Sequence, residues 1–343
     1  MKLQQLRYLV AIADNGMNIT AASQALFTSQ PGVSKQVKLL EDELSLQLFT
    51  RRGKSLSGLT EAGKDVLERA RKILTEVDNI KTLSQELAGQ AQGELVVATT
   101  HTQARYVLPD LLERFHRSFP DISISLHQGT SDRIARQVQE QAADFAIASG
   151  NSGLFEGLVT FPIYRWERVI LVMPDHPLAR KSRVELSDLA RYPIISYTHS
   201  FDEDSDQANA FRKAGINPNV VFTAEDPDVI KTYVRKGMGI GIVACMAYDP
   251  ERDDGLMAID AAHLFPSCAT WIGFRNDRFL RDYMLSFLEL LVPGADRYMV
   301  EEAIRKAAEP GGGVTAPVPS LPLNSHPQIE RNFSSCCGGG FNL

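Results

Sequence analysis

Short apolar runs alternate with helix-like stretches along residues 94–293, and this alternation restricts the possible folds more than any other feature of the chain. The runs include ELVVATT at 94–100, ISISLH at 122–127, VILVM at 169–173 and IGIVA at 240–244. Short apolar strands separated by helices are typical of parallel sheets covered by helices. Because the region is about 200 residues long and holds many such runs, we expect an α/β body of two lobes with a cleft between them.

Charge is distributed unevenly along the 343-residue chain, whose formal net charge is −6. Residues 1–60 contain seven Lys and Arg against four Asp and Glu, whereas residues 93–309 contain 23 against 31. The acidic total argues against generic nucleic-acid binding. The basic amino-terminal segment nevertheless indicates a local surface for a negatively charged partner.

The four cysteines have the spacing of neither a metal site nor a disulfide framework, which fits a reducing cytosol. The amino terminus lacks the pattern of a signal peptide, and no apolar run approaches the roughly 18 residues of a membrane span. We therefore expect a cytoplasmic protein with no metal, no cofactor and no membrane association.

The amino-terminal segment predicts three short helices. Apolar spacing predicts the first over residues 3–13, Asn18 or Thr20 can cap the second, and Ser29 is the expected N-cap of the third. Pro31 is tolerated in the first turn of the third helix. The buried stripe expected there comprises Val33, Val37, Leu40 and Leu44. Two short helices joined by a tight turn indicate a helix-turn-helix.

Polar side chains lie off that stripe at the start of the third helix, where backbone N–H groups and the helix dipole favour phosphate. Gln can hydrogen-bond to base edges, and Lys and Ser can reach bases or phosphates. The segment LFTRRGKSLSGLT at 48–60 predicts a hairpin whose basic tip suits a wing on the DNA backbone. The predicted DNA-contacting residues are Thr28, Ser29, Gln30, Pro31, Ser34, Lys35, Lys38, Arg51, Arg52 and Lys54. The alternative is an ordinary solvated polar surface.

A long amphipathic helix is predicted to begin after Thr60, with Glu61 in its first turn. Its apolar stripe comprises Val66, Ile73, Val77, Ile80, Leu83 and Leu87. Such a stripe is typical of a dimerising helix, although packing on its own chain is the alternative. The segment AGQAQG at 88–93 is expected to be a hinge, and the Pro- and Gly-rich segment 310–343 is expected to be disordered.

The stretch ATTHTQARY at 98–106 predicts a ligand site at the end of a strand. Open α/β sheets bind ligands beyond the carboxyl ends of their strands. Thr100, Thr102 and Gln103, together with Ser149 after the strand DFAIA, offer hydroxyl and amide groups that can bind an anion. The alternative is that these residues only cap a helix.

Several stretches resemble LysR-type transcriptional regulators. AASQALFTSQPGVSKQVKLLEDELSLQLFTRRGKSLSGLTEAGK at 21–64 resembles the winged helix-turn-helix of that family. The segments ATTHTQARYVLP, ADFAIAS, VIKTYVRKGMGIGIVA and IGFRNDRFLRDYM resemble the CysB subgroup, which includes the Cbl-like regulators. The resemblance covers about residues 1–300 and stops before the tail.

This resemblance implies a winged helix-turn-helix, a long linker helix and a two-subdomain effector domain with a periplasmic-binding-protein-like fold. The implied boundaries are 1–60 for the DNA-binding domain, 61–92 for the linker helix and hinge, and 93–300 for the effector domain. Subdomain I is expected at about 93–163 and 268–293, and subdomain II at about 164–267.

The resemblance also implies promoter double-stranded DNA and RNA polymerase as partners, and homodimers that assemble into homotetramers. The implied effector is a small molecule such as sulfate, acetylserine or adenosine phosphosulfate, and the implied targets are genes for cysteine synthesis or sulfonate use. Thr100, Thr102 and Gln103 match the anion-binding motif of the subgroup, and Ser149 replaces a Thr with the hydroxyl retained.

One loop departs from the subgroup, which usually reads Thr-Gly-Arg-Ser where this chain reads Asp202-Glu203-Asp204-Ser205. A carboxylate about 4 Å from a bound anion would repel it by on the order of 4 kcal/mol per charge pair at an effective dielectric of roughly 20. Either Asp202 contacts a cationic or zwitterionic effector, or the loop points outward.

An effector-responsive DNA-binding regulator is the prediction that joins these features. One alternative is a cytosolic small-molecule sensor or solute-binding protein that acts through protein partners. Another is an enzyme built on the same two-lobed body. The charge asymmetry and the basic hairpin favour the regulator.

Overall fold

The computed structural model describes residues 1–53, 55–88, 93–150 and 155–307. Contacts divide these residues into two units, one formed by the chain up to the end of the long helix together with residues 277–281, and one formed by the remainder. No helix in the described part of the chain is long and apolar enough to cross a membrane. The segment 310–343, predicted to be disordered, and most of the predicted hinge lie outside the described residues.

The first unit consists of a helical bundle, a hairpin and the long helix. Its elements are α1 (Leu3–Asp14), α2 (Ile19–Ala25), α3 (Gln30–Leu44), β1 (Phe49–Arg52), β2 (Ser55–Leu59) and α4 (Glu61–Leu87). Its core joins buried side chains of α1, α3 and the first turns of α4 around Leu9, Val37 and Leu67. The start of the long helix is therefore part of the same core as the helix-turn-helix.

The second unit contains two five-stranded sheets, which we call the first lobe and the second lobe. The first-lobe sheet has the order β4-β3-β5-β12-β6, and the second-lobe sheet has the order β11-β7-β10-β8-β9. The strands are β3 (Gly93–Thr99), β4 (Ile122–Gln128), β5 (Phe145–Ser149), β6 (Val159–Trp166), β7 (Arg168–Val172), β8 (Ile194–Tyr197), β9 (Val220–Ala224), β10 (Ile240–Ala244), β11 (Met257–Asp260) and β12 (Cys268–Phe274). The helices are α5 (His101–Tyr106), α6 (Leu108–Ser118), α7 (Ser131–Gln139), α8 (Leu186–Leu189), α9 (Asp206–Lys213), α10 (Pro227–Arg235), α11 (Asp282–Leu291) and α12 (Arg297–Ala307).

The α/β fold with two lobes is confirmed, but the expectation of parallel sheets is wrong in part. β3 is parallel to β4 and β5, and β8 is parallel to β9 and β10. β12 runs antiparallel to β5 and β6, and β7 runs antiparallel to β10 and β11. These antiparallel strands are the ones on which the chain passes between the lobes, because β6 leads into β7 through Glu167 alone and β12 returns to the first lobe.

Candidate DNA interface and effector site

Two side-chain caps fix the helix-turn-helix. Asn18 Oδ1 accepts hydrogen bonds of 3.0 Å from the backbone N–H groups of Thr20 and Ala21, so it begins α2. Ser29 Oγ accepts a hydrogen bond of 3.4 Å from the N–H of Gly32 and begins α3, as predicted. Caps of this kind stabilise a helix start by about 1 kcal/mol each.

The two faces of α3 differ sharply in exposure. Val33, Val37 and Leu40 are buried in the core of the first unit. The predicted contact residues of α3 and its N-terminal turn lie off that buried face: Ser29, Gln30, Pro31, Lys35 and Lys38 are exposed, and Thr28 and Ser34 are half-buried. A polar, basic helix face that is open to solvent can enter a major groove.

The hairpin after α3 is attached to that helix through Glu41. One carboxylate oxygen of Glu41 accepts hydrogen bonds from the N–H groups of Leu48 at 2.9 Å and Phe49 at 3.3 Å. The other oxygen accepts from the Arg51 guanidinium at 3.1 Å. Arg51 is thus partly engaged within the chain, whereas Arg52 is exposed at the end of β1. Lys54, the remaining predicted contact of the tip, lies outside the described residues.

The apolar stripe of α4 is open to solvent beyond the part that packs on the helix-turn-helix. Its exposed large apolar residues are Ile73, Ile80, Leu83 and Leu87. A row of exposed apolar side chains along a helix is what a second helix of the same kind covers in a coiled pair.

In the first lobe, hydrogen bonds connect three of the predicted effector residues, Thr100, Gln103 and Ser149. Thr100 is the N-cap of α5, and its Oγ1 accepts a hydrogen bond of 3.4 Å from the N–H of Gln103. The Gln103 amide, which is 1% exposed, donates to Ser149 Oγ at 3.4 Å and to Thr270 Oγ1 at 3.5 Å. The carboxyl ends of β3 and β5 therefore share one polar cluster, which also includes the start of α5.

Two aromatic residues of β6 complete this cluster. The Trp166 indole N–H donates to Ser149 Oγ at 3.1 Å and to Thr270 Oγ1 at 3.2 Å, and these two hydroxyls lie 2.8 Å apart. The Tyr164 hydroxyl donates to Gln103 Oε1. Burial is the main cause that raises the pKa of Tyr164, so its hydroxyl stays protonated and keeps donating.

Thr102 reaches the other lobe. Its hydroxyl donates to the Tyr197 hydroxyl oxygen at 3.5 Å, and the same oxygen accepts from the N–H of Ala244 at 3.2 Å. Burial raises the pKa of Tyr197 to about 12. A neutral phenol therefore links the end of β8 to the first turn of α5 across the two lobes.

A cluster of ions also joins the lobes, between α5 and α10. The Lys231 ammonium lies 2.8 Å from Asp253 Oδ2 and 3.2 Å from Asp228 Oδ1. It also donates to the Tyr106 hydroxyl at 2.9 Å and lies 4.9 Å from the centre of the Tyr106 ring. The Tyr106 hydroxyl in turn donates to Asp228 at 2.6 Å. We call these four residues the cross-lobe cluster.

The central ion pair of the cross-lobe cluster, between Lys231 and Asp253, is buried. Lys231 and Asp253 have side chains only 3% and 6% exposed, and Arg235 adds a second cation 2.8 Å from Asp253. Burial by itself raises the pKa of Asp253, but hydrogen bonds from Lys231, the Asp249 N–H and Arg235, together with the charge of Lys231, lower the pKa overall. Asp253 is therefore ionised at neutral pH.

Asp202 lies at the end of the turn that follows β8. Its side chain is 63% exposed, and its carboxylate lies 2.8 Å from Nδ1 of His199. The contacts of Asp202 are thus local, unlike the bond between Gln103 of α5 and Ser149 of β5, which joins residues far apart in the sequence. In the described part of the chain, no group of three His, Cys, Asp or Glu residues is placed to hold a metal ion.

Four residues that contact the predicted effector residues were not predicted from the sequence: Tyr164, Trp166, Tyr197 and Thr270. Tyr197 ends the apolar run IISY, and the rule that ligands bind at carboxyl ends of strands could have indicated it. Thr270 meets Ser149 only because β12 pairs antiparallel with β5 in that register. No local pattern in the sequence predicts that pairing.

Comparison with known proteins agrees with this architecture. Residues 3–64 match the family described as bacterial regulatory helix-turn-helix protein, lysR family, and residues 88–296 match the LysR substrate binding domain. The chain is 46% identical over 305 residues to the HTH-type transcriptional regulator CysB of Haemophilus influenzae, covering 89% of this chain and 94% of that relative. It is 44% identical over 307 residues to SsuR of Burkholderia cenocepacia, covering 90% and 100%.

A solved structure agrees as well. The cofactor-binding domain of the Cbl transcriptional regulator superposes with a TM-score of 0.59 at 38% identity, covering 64% of this chain and 95% of that structure. The resemblance noted in the sequence is thereby confirmed, and the alternative of an enzyme is set aside. The chain belongs to the LysR family of bacterial transcriptional regulators.

Proposed function

We propose that this regulator controls genes for cysteine synthesis or sulfonate use in response to a small molecule that reports sulfur status and binds between its lobes. The observation that carries the proposal is the polar cluster at the carboxyl ends of β3 and β5, where Gln103 meets Ser149 and Thr270. Neutral hydroxyl and amide donors at a helix start suit an anionic group of the effector. The resemblance to the CysB subgroup supports the choice of sulfate, acetylserine or adenosine phosphosulfate.

DNA is read, in this proposal, by α3 and the hairpin of each subunit in a homodimer, with α4 as the dimerising helix. The exposed apolar row of α4 supports that role. Two such dimers form a homotetramer on promoter double-stranded DNA, where the regulator contacts RNA polymerase. Effector binding favours one arrangement of the lobes over another, and the bonds of Tyr197 and the cross-lobe cluster are the contacts that such a change would alter.

Selective binding of promoter DNA by the purified protein tests the proposed regulator function as a whole. Binding to a selected genomic fragment in gel shifts should weaken steeply as the salt concentration rises, because Lys and Arg contacts displace counterions from phosphates. If the protein retained no genomic fragment selectively, with or without these metabolites, the sensor acting through protein partners would be the better interpretation.

Changing Gln30 and Ser34 together to Ala is expected to reduce the preference for operator over random DNA by about tenfold or more. A good base contact is worth about 1–3 kcal/mol of discrimination, and neither side chain belongs to the buried core of α3. Gel shifts with the operator and a scrambled duplex measure this ratio, and thermal unfolding should be unchanged. Ser118→Ala in α6 is the matched control; an unchanged ratio in the double variant would remove these residues from the reading surface.

Changing Thr100 and Thr102 together to Val is expected to preserve DNA binding and to raise the effector concentration needed for a response by about tenfold or more. Valine keeps the shape of threonine, and a hydrogen bond to a charged group contributes about 1.5–3 kcal/mol. The response is measured as the change in gel-shift affinity during titration with sulfate and, separately, with acetylserine. Thr223→Val, on the exposed side of β9, is the control substitution.

The same titrations with sulfate and acetylserine test whether Asp202 affects which effector binds. Because its carboxylate would repel a dianion, we propose that it selects a zwitterionic effector, and that acetylserine binds more tightly than sulfate. Asp202→Asn should then narrow the difference between the two ligands. Tight sulfate binding by the unaltered protein would show instead that the loop stays away from the ligand.

The Thr100 and Thr102 prediction has its own contradicting outcome. If the variant with both residues changed to Val responded at the same effector concentration as the unaltered protein, these two hydroxyls would not be part of the effector site.

A further inference from the structure

Phe27, in the turn between α2 and α3, combines two unfavourable features. The residue is 99% exposed, more than any other large apolar residue in the described part of the chain. Its backbone has a φ of +49°, in the left-handed region that bulky side chains rarely adopt. A phenyl ring placed in water on a strained backbone contributes little to folding and therefore calls for another explanation.

The turn itself requires the left-handed backbone but not the ring. The N–H of Phe27 donates to the carbonyl of Gln24 at 3.1 Å, and the N–H of Thr28 donates to that of Ser23 at 2.9 Å. These bonds end α2 and allow Ser29 to begin α3. Asn or Gly would adopt the same conformation with less strain, and neither would expose apolar surface.

The position of Phe27 indicates a partner for the ring. It lies two residues before Ser29, the N-cap of the helix whose exposed face carries Gln30, Lys35 and Lys38. An exposed aromatic side chain just before a helix whose exposed face carries cations suits a duplex, which presents phosphates next to apolar deoxyribose faces and thymine methyl groups.

We propose that Phe27 is a DNA-contacting residue whose ring packs on a deoxyribose or a thymine methyl group at the edge of the groove that α3 enters. The inference rests on the proposed DNA-reading role of α3. It adds an aromatic contact to a set whose other members, apart from Pro31, are polar or basic. Because such a contact neutralises no phosphate, it should strengthen binding without changing the number of counterions released.

The test uses the full chain and an operator fragment recovered by selection from random double-stranded DNA. Phe27→Asn suits the left-handed turn, so its thermal unfolding midpoint should equal or exceed that of the unaltered protein. Its affinity for the operator should fall about tenfold, with an unchanged slope of log affinity against log salt. Lys35→Ala, as the contrasting variant, should reduce the magnitude of that slope by about 1. Phe27→Tyr keeps the ring and should keep most of the affinity.

Three results would overturn the inference. If Phe27→Asn bound the operator as tightly as the unaltered protein, the ring would have no role on DNA, while the regulator assignment would stand. If Phe27→Asn unfolded at a clearly lower temperature, the ring would serve the turn instead. If the unaltered protein selected no sequence from the random pool, the proposed reading role of α3 would fail first, and this inference with it.

Discussion

Replacing Lys231 by Met is expected to lower the free energy of unfolding of the second unit by about 3–5 kcal/mol, because it leaves buried carboxylate charge without its main partner. Lys231 lies 2.8 Å from Asp253 and 3.2 Å from Asp228, and its side chain is only 3% exposed. Arg235 remains 2.8 Å from Asp253 in the variant, so we expect the lower end of that range. Urea unfolding followed by far-ultraviolet circular dichroism measures the change.

Arg105→Gln provides the matched control for this prediction. The Arg105 guanidinium also pairs with Asp228, but its side chain is 64% exposed, and exposed ion pairs contribute about 0–1 kcal/mol. Removing this cation should therefore cost less than 1 kcal/mol. An equally small loss in Lys231→Met would mean that the carboxylates of the cross-lobe cluster are well solvated without their ammonium partner.

The cross-lobe cluster also predicts a functional effect of the same substitution. Lys231 donates to the hydroxyl of Tyr106, which lies on α5 close to Thr102. Losing this bond removes a contact between the lobes and changes the relative stability of their arrangements. Lys231→Met should therefore shift the effector concentration needed for a response even where the protein remains folded.

The first unit could be predicted from its sequence because its signals are local. Ser29 caps α3 three residues from the N–H that it accepts, and Val33, Val37 and Leu40 are spaced for one helix face. Likewise Thr60 begins α4, as its position before a long amphipathic stretch predicts. Each of these signals acts within one or two helical turns, so no knowledge of the tertiary fold is needed to interpret it.

The effector lobes were predicted less completely because their determinants are distant in sequence. The strand β6 was missed, and it contains Pro162, which is excluded from most central strands but is tolerated at the edge that β6 occupies. The helical stretch after β3 is divided at Val107 into α5 and α6, because Pro109 cannot donate to the carbonyl four residues earlier. The cluster around Gln103 depends on the pairing of β5 with β12, across 121 residues of chain.

Replacing Gly63 by Ala is expected to destabilise the first unit by about 1–3 kcal/mol, against the usual preference for Ala over Gly within a helix. Gly63 is buried in the first turn of α4. A Cβ at this position would lie 2.0 Å from the carbonyl oxygen of Leu48 and 2.8 Å from its carbonyl carbon. Backbone atoms cannot move aside as a flexible side chain can, so α4 or the start of the hairpin must shift.

The direction of this effect distinguishes a close backbone contact from ordinary helix propensity. Leu48 is held from both sides, since its N–H donates to Glu41 at 2.9 Å and its carbonyl accepts from the N–H of Thr60 at 3.0 Å. A shift at Gly63 would strain both bonds and displace the hairpin from α3. We therefore expect weaker operator binding in gel shifts together with a lower thermal midpoint. The control is Asp65→Ala, at an exposed position two residues further along α4, which should leave the thermal midpoint nearly unchanged. A Gly63→Ala protein that was more stable than the original would show that α4 does not pack closely against the backbone of Leu48.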